Sequence, residues 1–187
     1  MLILKLEGEE FWDEIKNEFV YSDPTEVKME HSLVSINKWE SKYHVPFLGR
    51  EHEKTPEEFI EYIRFMILSK NADNDTIRRI ITSKEHMEAI KKYMDDTMTA
   101  TKFSKRQQAQ AKINQGGEYI TSELIYYWMV ALQIPFECEK WHINKLLTLI
   151  QVCNLKNTPP KKMSKNEIYA QNRALNAARR AKYNTKG

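Results

Sequence analysis

Five histidines (His31, His44, His52, His86 and His142) and two cysteines (Cys138 and Cys153) are the residues of this chain best suited to acid–base, nucleophilic or metal chemistry. Histidine titrates near neutrality and serves as base, acid or ligand, and a thiolate is a nucleophile and a soft ligand. Such chemistry also needs a spacing that brings the groups to one point. No HExxH, GxSxG, GxxxxGK(S/T), GxGxxG or CxxC occurs, and Gly116-Gly117 alone is too little for a phosphate loop. His142 near Glu139, and His52 between two glutamates, are explained by solvated or capping histidines. The two cysteines read as lying on one helix 15 residues apart, which at 1.5 Å per residue separates them by roughly 22 Å and excludes a disulfide. The expected catalytic, cofactor and metal sets are therefore empty, and an enzyme is the last reading to entertain.

A second chemistry open to these residue types is electrostatic. The final segment from Leu155 holds nine Lys and Arg (Lys156, Lys161, Lys162, Lys165, Arg173, Arg179, Arg180, Lys182 and Lys186) against Glu167 alone, a net of +8. The whole chain carries only +3, so the 154 residues before that segment carry −5. An acidic body with a basic tail suits a charge-complementary contact. Phosphate neutralisation on nucleic acid is the alternative use of such a tail, although only Tyr169 and Tyr183 interleave with its charges as stacking platforms.

These groups must be held by a body of 187 residues, long enough for one domain with a real core. Five glycines and six prolines are too few for a many-turned sandwich. The expected class is mainly α with a small antiparallel β-sheet (α+β), a central αα-hairpin core and a basic C-terminal helical tail. Residues 1–157 read as one globular domain and 158–187 as a partly flexible tail. No run approaches the ~18 apolar residues of a membrane span, and the first eight residues are too short and too soon acidic for a signal peptide, so an intracellular protein is expected.

Along the chain, LILKL at 2–6 reads as a strand. Phe11-Trp12 and Phe19-Val20-Tyr21 read as a hairpin turning near Lys16-Asn17, and Val27, Met29 and His31 as a further edge strand. Leu33, Ile36, Trp39 and Tyr43 then share a helical face closed by Pro46. Thr55-Pro56-Glu57-Glu58 is a capping box opening the next helix. A polar linker at 69–75 precedes Thr76–Ile81, after which Thr82 with Glu85 reads as a box for a helix ending before Asp95-Asp96. Met98 to Phe103 with Tyr119-Ile120 reads as a second hairpin around a polar loop at 104–117. Thr121 caps a helix that Pro135 ends, and a helix of about five turns follows, with Trp141, Leu146, Leu149, Ile150 and Cys153 on one face. Ser164 is the expected cap of the tail helix.

Among the aromatics, Trp128 and Trp141 sit in the most apolar stretch and are expected to fill the core. Trp39, Tyr43 and Phe47, on a short helix with a proline-bounded turn, are the candidates to face a partner. The tentative partner-binding set is Trp39, Tyr43, Phe47, Lys161, Lys162, Arg173, Arg179 and Arg180.

Three runs taken together carry a resemblance: His31-Ser-Leu-Val-Ser-Ile-Asn-Lys-Trp-Glu-Ser-Lys-Tyr43, Ile120-Thr-Ser-Glu-Leu-Ile-Tyr-Tyr-Trp128, and Phe136-Glu-Cys-Glu-Lys-Trp-His142 continuing to Leu146-Leu-Thr-Leu-Ile150. With Pro159 to Lys165 and Ala174 to Arg180, the chain resembles tail assembly chaperones of long-tailed bacteriophages. The resemblance implies a non-catalytic protein of the infected host's cytoplasm, and the acidic body with its basic tail adds an expectation of self-association. Such a protein binds the tape measure protein and other tail proteins, keeps the tape measure soluble during tail morphogenesis and is absent from the finished virion. A nucleic-acid-binding regulatory protein and a virion structural component are the alternatives.

Overall fold

The computed structural model describes residues 1–21, 23–49, 52–69, 73–103, 119–157 and 165–184. It forms two compact units, Met1–Leu155 and Lys156–Gly187. The class is mainly α with small antiparallel β elements, seven α-helices being present among the described residues.

Two short sheets, rather than one, open the chain. In the first, β1 (Leu2–Leu6) pairs with β4 (Thr25–Met29), Leu4 facing Val27. Leu4, Leu6, Val27 and Met29 are buried while Lys5 and Lys28 are exposed, the period-two pattern of a half-buried ribbon. In the second, β2 (Glu10–Asp13) pairs with β3 (Glu18–Tyr21), Trp12 facing Phe19. Their turn falls at the expected Lys16-Asn17. Asn17 takes the left-handed conformation at φ 54°, which asparagine tolerates, and the Asp13 carboxylate accepts from the Ile15 and Lys16 amides.

The next helix, α1 (Leu33–Tyr43), is the element the first unit is built around. Ser32 and Ser35 close a capping box at its start. It packs against α2 (Pro56–Met66), against α5 (Ser122–Ala131) and against the 3-10 turn Phe136–Lys140. Leu33, Ile36 and Trp39 of α1 are fully buried, as are Tyr62, Ile63 and Met66 of α2 and Ile125 and Met129 of α5. Polar bonds fix the same contacts. Trp39 Nε1 donates to the Glu58 carbonyl at 3.1 Å. The buried Glu40 carboxylate accepts from the Phe47 amide at 2.8 Å and from the Ser122 amide at 2.7 Å, so one side chain ties the turn after α1 to the positive end of α5.

The capping box Thr55/Glu58, with Pro56 in the first turn of α2, stands as expected. The middle of the chain differs. Residues read as the end of a linker form α3 (Asn74–Thr82), capped by Asp73, and α4 (Lys84–Asp95) is capped by Ser83 instead of Thr82. Thr82 has its hydroxyl on the Arg78 carbonyl, which closes α3. No strand forms at 97–103 or 119–121, so the second hairpin is absent there; its loop lies outside the described residues.

The stretch after Thr121 also divides otherwise than the apolar spacing suggests. Pro135 does not end α5. The stop is Gln133, left-handed at φ 56°, whose amide bonds the Val130 carbonyl while the Ile134 amide bonds the Met129 carbonyl, a Schellman motif without glycine. Phe136–Lys140 is a separate 3-10 turn, and α6 (Ile143–Asn157) begins only after His142. Cys138 and Cys153 therefore sit on different elements; both are free thiols. In the second unit α7 (Lys165–Tyr183) is a single helix, and Ser164 lies outside the described residues.

Candidate functional site

The residues with chemical potential separate into a closed interior cluster and an open surface. In the interior, His31 leaves β4 and meets Tyr62 of α2, Nδ1 to hydroxyl at 2.5 Å. Its ring stands edge-on to that of His142 at 5.1 Å, and the Ile143 amide donates to the His31 carbonyl at 2.8 Å. His142 donates from Nε2 to the Tyr93 carbonyl at 2.9 Å and accepts at Nδ1 from the Asn144 amide at 3.3 Å. Those two partners fix the neutral tautomer and make the imidazole a cap for α6. Tyr93 in turn donates to Glu30 at 2.5 Å.

All five side chains are buried. Burial, followed by the neighbouring His142, lowers the His31 pKa to about 3. Burial likewise lowers His142 and raises both tyrosines. Both histidines are thus neutral at physiological pH, and the cluster joins four segments of chain by hydrogen bonds.

Among the described residues there is no group of three or more His, Cys, Asp or Glu that could hold a metal. An open cleft of about 530 Å³ lies between the end of α1 and the start of α5, lined by Glu40, Ser41, His44, Val45, Pro46, Thr121 and Glu123. The Glu40 oxygens at its edge are already bonded to two amides, so they brace backbone there.

The expected aromatic partner surface is corrected by the packing. Trp39 is 0% exposed and Phe47 is also buried, while Tyr43 is half-buried. The three do come together, but on one another. Trp39 lies 4.8 Å from Tyr43 and 5.2 Å from Phe47, and Phe47 lies 4.1 Å from Tyr62. Lys54 covers the outer side, its ammonium 4.3 Å from the Phe47 ring and donating to the Phe47 carbonyl.

The open surface lies instead where core was expected. On α5, Tyr127 is 65% and Val130 61% exposed, three residues apart on one face. Tyr126 precedes them, its ring 6.4 Å from Phe136 of the 3-10 turn, which is 56% exposed. The Tyr126 hydroxyl donates to Glu139 at 2.9 Å, and burial with this carboxylate pushes its pKa up to about 12. Trp141, expected in the core, is exposed under the Lys145 ammonium at 4.4 Å, and Trp128 is half-buried. The result is an exposed apolar and aromatic ridge on α5 and the 3-10 turn, with Glu123, Glu137 and Glu139 on the same elements. The sequence signal for it was Tyr-Tyr-Trp at 126–128, which has more aromatic residues in succession than one helical face can bury.

The basic set divides as well. Arg173, Arg179 and Arg180 stand exposed on α7, with Arg173 and Arg180 seven residues apart on one face. Lys161 and Lys162 lie outside the described residues. Among the described residues no helix is long and apolar enough to cross a membrane. No family model matches this chain, and no curated protein or solved structure matches it.

Proposed function

We propose that this chain is a non-catalytic binding protein that holds an apolar helical segment of another protein in solution. In that role it acts as a tail assembly chaperone of a long-tailed bacteriophage on its tape measure protein. The observation that carries the reading is the exposed ridge of Tyr127, Val130 and Phe136 on α5 and the 3-10 turn, seated on a fully buried core. An amphipathic client helix laid on such a ridge buries apolar surface at three or four positions. Burying the exposed part of each large side chain contributes about 1–2 kcal/mol. Single contacts of that size are weak, and many copies along one long client add avidity without strong individual binding. The hydrogen-bonded interior supports the same reading, since the buried His, Tyr and Glu side chains are engaged in bracing the fold. On this reading the protein works in the host cytoplasm and is left out of the finished virion.

The exposed basic face of α7 favours a second reading, a regulatory protein that binds nucleic acid by neutralising phosphates. Co-expression with the neighbouring gene products, followed by affinity purification, separates the two. Recovery of a soluble tape measure protein supports the chaperone. Recovery of nucleic acid, with binding that falls steeply as salt rises, supports the second reading, and recovery of assembled tails supports a structural component.

A further inference from the structure

A second exposed apolar surface lies on a different element, the β2–β3 hairpin. Strand alternation puts Glu10 and Trp12 of β2 on the same face as Phe19 and Tyr21 of β3. Trp12 and Phe19 pack edge to face at 5.0 Å, yet Phe19 is 67% and Tyr21 63% exposed, and Ile15 at the turn is 96% exposed. The hairpin forms its own two-stranded sheet, separate from β1 and β4. A lone two-stranded ribbon is only marginally stable in water. Its charge is one-sided, because residues 10–21 hold Glu10, Asp13, Glu14 and Glu18 against Lys16, a net of −3.

Helix α7 has the opposite pattern. It carries Lys165, Arg173, Arg179, Arg180 and Lys182 against Glu167, a net of +4. At 100° per residue Ala170, Ala174, Ala177, Ala178 and Ala181 form one stripe, with Ile168 and Leu175 about 120° away from its centre. Every described side chain of the helix is exposed. A small-residue stripe lets a helix approach flat aromatic rings closely, and flanking arginines can then reach over those rings and pair with adjacent carboxylates.

We infer that the exposed face of the β2–β3 hairpin is the docking site for α7 of a second copy of this chain. Charge complementarity selects that occupant, since the exposed aromatic face belongs to a hairpin of net −3 and the exposed alanine-striped helix carries net +4, and the chain supplies the two in equal number. The contact joins different surfaces of the two copies, so it is heterologous and propagates into rings or open strings instead of stopping at a symmetric dimer. It is independent of what the α5 ridge binds.

Sedimentation velocity over micromolar to hundreds of micromolar protein tests this, using the full chain and two charge-reversed variants. One carries Arg173→Glu, Arg179→Glu and Arg180→Glu. The other carries Glu10→Lys, Glu14→Lys and Glu18→Lys and leaves the turn residue Asp13 in place. Far-UV circular dichroism checks that each is folded. The wild type is expected to associate with rising concentration, about tenfold more weakly in 0.5 M salt than at low salt. Each variant alone is expected to be monomeric, and an equimolar mixture of the two to associate again, because the reversed helix then meets the reversed hairpin. A wild type that stays monomeric throughout, association that survives both reversals, or a mixture that remains monomeric would each overturn the assignment.

Discussion

Lowering the pH from 7.5 to 5 should destabilise the fold, and most of the effect should pass through His31. Its imidazole is held neutral in the core between Tyr62, His142 and the Phe47 ring, with a pKa lowered from 6.5 to about 3. The unfolded chain binds a proton at this residue below pH 6.5 and the folded chain does not, so stability is complete above 6.5 and is lost as the pH falls toward 3. At pH 5 the gap spans about 1.5 units at 1.36 kcal/mol each, a loss of about 2 kcal/mol. His142, lowered by burial as well, adds to the loss in the same direction. The hydrogen-bonded carboxyls of Glu58 and Asp73 are also lowered, but from 4.5 and 3.8, so their contribution falls away only below this window. Urea unfolding followed by tryptophan fluorescence at pH 7.5, 6.5, 5.5 and 5 measures the slope, which about 0.5 M salt should leave nearly unchanged because burial, not surface charge, causes it. His31→Gln keeps an acceptor for Tyr62 without a titrating group. It should be less stable at pH 7.5 yet flatter between 6.5 and 5. A flat wild-type profile, or an unchanged slope in His31→Gln, would refute the reasoning.

Substitutions at three positions test what the packing singles out. Glu40→Ala leaves the Phe47 and Ser122 amides without their carboxylate and should cost about 3 kcal/mol in urea unfolding, with Glu40→Gln recovering part of it. Gln133→Gly removes a side chain from a left-handed helix end and should raise stability by about 0.5–1 kcal/mol, read as a higher midpoint at unchanged m-value. Trp39→Phe removes the bond to the Glu58 carbonyl and should cost about 1–2 kcal/mol of stability without altering client recovery, because Trp39 has no exposed surface.

Local signals in the sequence carried the elements whose specification is local. The turn at Asn17, the box at Thr55–Glu58 and the cap at Thr121 each depend on residues within four positions, and each stands in the structure. Local signals mislead where two neighbouring candidates compete, as at Thr82 and Ser83, and where a break is made by a residue other than proline or glycine, as at Gln133 and His142. Tertiary covering was not legible at all. The spacing of Leu33, Ile36 and Trp39 identifies a face, but α2 and Lys54 determine that Trp39 and Phe47 are covered. By the same logic, the apolar density around Trp128 and Trp141 suggests core, while the 3-10 turn between them leaves an aromatic side outward. The His31, Tyr62, Tyr93 and His142 cluster joins residues up to 111 positions apart, and nothing in the spacing of five scattered histidines brings those four together.

The central claim, that the α5 ridge holds an apolar helical client, is tested most directly by co-expressing the chain with the tape measure protein and measuring how much of that client stays soluble and co-purifies. The account predicts that the wild type retains it, and that Tyr127→Ser with Phe136→Ser, folded and within about 0.5 kcal/mol of wild-type stability, retains it roughly tenfold less. A client that remains insoluble beside the wild type, or one recovered equally by the double variant, would contradict it.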